Sequence, residues 1–279
     1  AVKLDRSSVI GGNEDITLRL EFVSPEVFQA KRDDYLVKTN TQVELRNTIV
    51  LLAERKELMD EMLIEIVKSS RAGEDVDERT ADRDVAQFLR SERRLAERCR
   101  DRAADTMSKA LMDGVFIFRG TPTPAREYGE TLDAAVGSAL TKAAETVFDK
   151  FHLAPIRPAT DTAAKFISVE RLDRMIREYD PLALATTVAC SPRIDINKTV
   201  LAEVLRVFQQ KAAESGSGRL QGSYLQDLFS APPYGWTKDT VRYLFAALLR
   251  AGELEFHKPG EDGVIRTAGE KAAEAVKNT

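Results

Sequence analysis

Residues 16–23, ITLRLEFV, alternate in polarity: Ile16, Leu18, Leu20 and Phe22 fall on one side, and Thr17, Arg19 and Glu21 on the other. A period of two predicts a half-buried strand. Ser24, Pro25 and Glu26 follow as an N-cap, a first-turn proline and a first-turn acid, which predicts a helix start. Beyond it, Leu45, Ile49, Leu52, Met59, Leu63 and Ile66 recur at steps of three, four or seven, the spacing of a coiled-coil seam. The polar run 69–77 interrupts the pattern, with Gly73 as its C-cap. A second helical stretch covers 78–112, with Val85, Leu89, Leu95, Met107 and Leu111 on its apolar side. Two long helices with a short polar turn predict an antiparallel hairpin. The apolar segment 114–120, GVFIFRG, predicts a short strand returning to pair with residues 16–23.

TPTP at 121–124 reads as a stiff connector. A further amphipathic helix spans 132–148, the proline-containing segment 151–162 is a loop, and short helices cover 163–166 and 169–178. DPLAL and CSPRIDIN read as linking turns, with a soft boundary at 190–196. The last segment holds helical patterns at 197–215 (Val200, Leu201, Val204, Leu205, Phe208), at 220–229 (Tyr224, Leu225, Leu228) and after Thr237 (Val241, Leu244, Phe245, Leu248). Thr237 is the N-cap and Gly252 the C-cap of that last helix. ELEFHK and VIRT, separated by PGEDG, predict a β-hairpin, and a final helix covers 269–277. Three helices followed by a hairpin is the order of a winged helix. The expected fold is therefore mainly α with small β elements. A strand–helical hairpin–strand module would occupy 1–125, a helical connector 126–195, and a winged-helix-like domain 196–279.

Composition narrows the class. The chain has 279 residues, 43% hydrophobic and 31% charged, with a formal net charge of −4. That is a folded chain with a sizeable core and without a global basic field for nucleic acid. Two cysteines far apart, Cys99 and Cys190, exclude a disulfide framework and suggest a reducing, cytoplasmic setting. No membrane span or signal peptide is visible in the sequence. The start AVKLDRSSVI, lacking Met, and the end AEAVKNT, still helical in pattern, read as a piece of a longer protein.

Candidate chemistry is sparse. G-x-x-x-x-G-K-[ST], G-x-G-x-x-G and G-x-S-x-G are all missing, and GSALTK at 137–142 lacks the second glycine of a phosphate loop. His152 and His257 have no companions at metal-ligand spacing, and Asp60 and Glu61 are helix neighbours that point apart. No catalytic, cofactor-binding or metal residue is assigned. The arginines at 90, 93, 94, 98, 100 and 102 lie in a stretch, 71–109, that holds ten basic and ten acidic residues, so a solvated face explains them. Residues 197–279 hold eleven basic and ten acidic residues. Within them Lys238, Arg242, Arg250, Lys258 and Arg266 are the candidate DNA or partner contacts. Pro232, Pro233, Trp236 and Gly252 are the structural anchors.

The stretch SAPPYGWTKDTVRYLFAALLRAGELEF (230–256), with GEKAAEAVKNT, VFDKFHLAP and ERLDRMIREYDPLAL, resembles the C-terminal part of the large P-loop ATPase subunit of bacteriophage-exclusion (BREX, phage growth limitation) systems. The resemblance is densest from Val147 onward and strongest in the block 232–253. It implies a phage-defence ATPase whose nucleotide site, with ATP and Mg, lies outside this sequence. It also implies work alongside a DNA methyltransferase and other subunits of a defence complex. Double-stranded DNA is a further candidate partner, and self-association would run through the helical hairpin. The alternative is a stand-alone winged-helix transcriptional regulator that binds DNA.

Overall fold

The computed structural model describes residues 15–71, 82–216, 218–257 and 264–277. The protein is mainly helical, 59% helix, with small sheets. It divides into two compact units, 1–147 and 148–279. The region 126–195, expected as a connector, is shared between them.

The first unit is organised by a strand that helical periodicity conceals. β1 (Thr17–Val23) leads through α1 (Pro25–Thr41) to β2 (Thr48–Glu54), and β1 and β2 pair in parallel, from Thr17 opposite Thr48 to Val23 opposite Glu54. β3 (Val115–Phe118) and β4 (Thr121–Pro124) complete a sheet of order β1-β2-β3-β4, with both later pairings antiparallel. The expected pairing of residues 114–120 with residues 16–23 is therefore corrected: β2 lies between them. The expected seam through Leu45, Ile49 and Leu52 is corrected too, because Ile49 and Leu52 belong to β2. TIVLLAE is a continuous apolar run, the mark of a strand covered on both faces. Ile49, Leu51 and Ala53 pack on one face with Phe116, Leu111 and Ala139, and Val50 and Leu52 pack on the other with Tyr35 and Ile117. TPTP is an edge strand, where proline is tolerated because its missing N–H can face outward.

α2 (Glu57–Arg71) and α3 (Arg83–Met112) pack against each other, and α5 (Leu132–Val147) joins α3 over the sheet face that carries Phe116. A short α4 (Ala125–Tyr128) precedes α5, and Tyr128 meets Phe116 edge-on at 5.3 Å. Ser69 Oγ donates to Glu92 at 2.8 Å, and Arg100 donates to Ser70 Oγ at 3.1 Å. The Asp82 side chain caps α3 by accepting the Arg83 N–H at 2.7 Å. Of the polar break expected at 69–77, residues 69–71 are instead the end of α2, and 72–77, with Gly73, lie outside the described residues.

The second unit is built around one helix. α6 (Thr162–Ser168) is followed by a single 3₁₀ turn at Leu172–Arg174, where a helix over 169–178 was expected. β5 (Ala185–Val188) and β6 (Ser191–Ile194) form an antiparallel pair in the region read as linking turns. α7 (Thr199–Ser215), α8 (Gly222–Ser230) and α9 (Lys238–Ala251) come next, then β7 (Phe256–His257) paired with β8 (Val264–Ile265), and α10 (Glu270–Lys277). Tyr224, expected in the α8 core, is 44% exposed, and Phe229 is fully buried in that role. The turn at 259–263 lies outside the described residues. Among the described residues no helix is long and apolar enough to cross a membrane.

Candidate interaction surface

α9 starts at a cap the sequence announces. The Thr237 hydroxyl accepts the Thr240 N–H at 3.2 Å, and Gly252 ends the helix in the left-handed conformation at φ +80°. Val241, Leu244, Phe245 and Leu248 are buried, as the apolar stripe predicts. So are Thr240, Tyr243, Ala246, Ala247 and Leu249, because α6, α7, α8, α10 and β6 all pack on this helix.

The turn before α9 is an aromatic cluster. Trp236 is 1% exposed and stacks on Phe229 with ring centroids 5.5 Å apart and planes 9° apart. Its backbone N–H donates to Phe229 O at 2.9 Å, and its indole Nε1–H donates to Phe151 O at 3.3 Å. Pro233 contributes its carbonyl, which accepts the Lys150 N–H at 3.1 Å. Gly235 has φ +65°, and a Cβ there would meet Phe148 at 2.7 Å, so position and backbone both call for glycine. Tyr234 tilts against Trp236 at 4.8 Å and donates its hydroxyl to Glu203 at 2.6 Å. Arg206 donates twice to Glu203, at 2.9 and 3.0 Å, and Lys150 joins at 2.6 Å. The Arg206 bond first, then Lys150 and Tyr234, hold the Glu203 carboxyl down at about 2. Burial, followed by the bond to Glu203, pushes the Tyr234 phenol well above its usual range.

The candidate contact residues separate into different environments. Lys238 is exposed at the start of α9. Arg242 is one-fifth exposed and paired with Asp239 at 3.3 Å, and its Nε is buried without a partner. Arg250 points inward: it donates to Phe166 O at 2.6 Å and to Val169 O, with its guanidinium over the Phe166 ring. Burial lowers its pKa from the ordinary guanidinium value. Arg266 is exposed but donates to Glu255 at 2.8 Å, and Glu255 also holds His257 at 2.9 Å. Lys258 lies outside the described residues. Two of the five candidates, Lys238 and Arg266, are thus placed on the surface, and of these only Lys238 belongs to α9.

Sequence reasoning missed a polar centre under α9. The Asp180 carboxylate, 4% exposed, accepts the N–H groups of Leu184 and Ala185 at 2.8 Å each and the Tyr243 hydroxyl. Burial and the Asp180 bond push the Tyr243 phenol far above its usual range. The signal available was Asp180-Pro181, an aspartate at the head of a turn, whose side chain commonly bonds the backbone ahead of it.

On α3 the arginines are woven into helix contacts. Arg98 donates to Arg94 O at 3.3 Å, and Arg100 holds Ser70. Arg93 and Arg100 border a groove of about 320 Å³ that also carries Glu97, which offsets their charge toward an anion. Among the described residues no group of three His, Cys, Asp or Glu side chains is arranged to hold a metal ion.

Comparison with protein-family models, curated proteins and solved structures gives no match.

Proposed function

We propose that this chain is a non-catalytic part of a phage-defence ATPase of the bacteriophage-exclusion kind, whose role is to assemble subunits. We read α7, α8 and α9 with the β7–β8 pair as a winged helix, and α2 with α3 as a projecting helical hairpin. The resemblance of residues 230–256 supplies the family. The observation that carries the assembly role is the burial of α9. A recognition helix places a line of side chains against base edges in the major groove. Of the α9 residues Lys238 alone is exposed, because the other faces of the helix are largely covered by neighbouring elements. Phosphate binding rewards clustered, unneutralised positive charge, and here Arg242, Arg250 and Arg266 already have partners.

Two measurements test the proposal. The chain, mixed with the methyltransferase and remaining subunits of a bacteriophage-exclusion system, is expected to co-elute with at least one of them. Alone it is expected to give no ATP turnover. ATP hydrolysis by the isolated chain contradicts the reading. Duplex-DNA binding that weakens with salt and is lost in Lys238→Ala replaces assembly with the regulator reading.

A further inference from the structure

Among the described residues β1 is an edge strand with no neighbour on its outer side. Its pairing with β2 fixes which backbone groups point where. Thr17 donates its N–H to Asn47 O at 3.1 Å, and Val23 O accepts from Arg55 at 2.7 Å. Odd-numbered residues therefore direct their N–H and C=O toward β2. The N–H and C=O of Leu18, Leu20 and Phe22 then point away from the sheet, and among the described residues nothing bonds them there. Leu20 is 52% exposed, a large apolar side chain left at the rim. The opposite edge is different: β4 carries Pro122 and Pro124, which have no N–H to offer.

Unpaired edges are templates for another strand, and folded proteins usually blunt them. β1 carries no proline, and its sequence, TLRLEFV, is chemically symmetric about Leu20. Set antiparallel against itself with the two-fold axis at Leu20, it places Leu20 opposite Leu20, Leu18 opposite Phe22, and Arg19 opposite Glu21. The backbone phase agrees with this register. Leu18, Leu20 and Phe22 have both polar groups facing outward, so they take the positions that exchange two hydrogen bonds. Arg19 and Glu21 take the intervening positions, where cross-strand side chains come closest. Both of these charged residues lie on the α1 face, where Arg19 Nη2 sits 3.2 Å from Glu21 within its own strand. The partner strand would supply a second Arg–Glu pair to each copy. Any shift by one residue puts outward amides opposite inward ones and loses the ladder.

We propose that β1 pairs with β1 of a second copy of this chain, antiparallel about Leu20, joining two four-stranded sheets into one. The contact rests on the first unit alone and is independent of the assembly role proposed for the chain. It is small compared with the roughly 800 Å² per partner of a standard interface, so association is expected to be weak and concentration-dependent.

Sedimentation equilibrium of the full 279-residue chain over a wide concentration range tests it, with circular dichroism confirming the fold of each variant. The wild-type chain is expected to shift from monomer to dimer. Leu20→Pro removes an outward N–H that bonds nothing among the described residues, so the fold is expected to be kept and the dimer lost. Arg19→Glu sets like charges opposite Glu21 and is expected to weaken the dimer about tenfold, close to 1.4 kcal/mol. Should Leu20→Pro fail to fold, a second measurement decides. In a Cys99→Ser, Cys190→Ser background, Leu20→Cys is expected to form an oxidised dimer across the axis, and Glu26→Cys, on α1, is not. A chain that stays monomeric at every concentration overturns the proposal. So does a dimer indifferent to Arg19→Glu and to Leu20→Pro, or one that crosslinks through Glu26→Cys and not Leu20→Cys.

Discussion

Trp236 joins two roles at one residue: its ring fills the space beside Phe229 and Tyr234, and its indole N–H satisfies the Phe151 carbonyl. Trp236→Ala therefore removes a large buried side chain and orphans an acceptor. A loss of about 3–5 kcal/mol in urea unfolding, followed by circular dichroism, is expected. Glu203 gives a pH prediction. Its folded value, about 2, lies below the ordinary 4.5. Its stabilising contribution is thus present above pH 4.5 and fades as pH falls from 4.5 toward 2. Glu203→Gln is expected to flatten the stability–pH curve of the second unit across that window, which acid titration followed by Tyr and Trp fluorescence reads. Tyr243→Phe removes the hydroxyl that meets buried Asp180. The carboxylate keeps two backbone donors, so a loss of about 1–3 kcal/mol is expected in the same unfolding assay.

At the scale of elements, α9 and β2 show what local pattern can and cannot convey. The cap at Thr237 and the stop at Gly252 were legible because they are chemical requirements of helix ends. Thr237→Ala is expected to cost about 1 kcal/mol of stability by chemical denaturation. Val241, Leu244, Phe245 and Leu248 were legible as an inward stripe. The burial of Ala246, Ala247 and Tyr243 on other sides was not, because it depends on α6, α10 and β6 arriving from distant sequence. β2 was concealed for a related reason. A strand buried on both faces loses its alternation, and an apolar run then matches helical spacing as well as any other. β4 was concealed by its prolines, which mark a connector as readily as an edge. The inward bonds of Arg250 were not legible either: a basic side chain in the last turn of a helix cannot announce that carbonyls of Phe166 and Val169 lie beside it.

At the scale of the whole molecule, each unit has its own core. One is centred on β2 and Phe116, and the other on α9, Phe166 and Trp236. Residues 148–279 expressed alone are therefore expected to melt as one cooperative transition with native helical content, measured by calorimetry and circular dichroism. A broad, non-cooperative melt would mean that the second core depends on the first unit. The charge balance also belongs to this scale. Eleven basic and ten acidic residues across 197–279 could still have formed a positive stripe. The ion pairs Arg242–Asp239, Arg206–Glu203, Lys211–Glu214 and Arg266–Glu255 disperse it.

By itself, the sequence determined the helical class, the caps of α9, the PPYGW turn, the apolar stripe of the second unit and the missing phosphate loop. These follow from local chemistry, where a residue's neighbours in sequence are also its neighbours in space. Only the tertiary structure decided that β2 stands between β1 and β3, that α9 is enclosed, that Arg250 turns inward and that β1 is an edge strand among the described residues. Each of these depends on which distant segment comes to lie alongside, a choice made by the joint packing of many apolar faces.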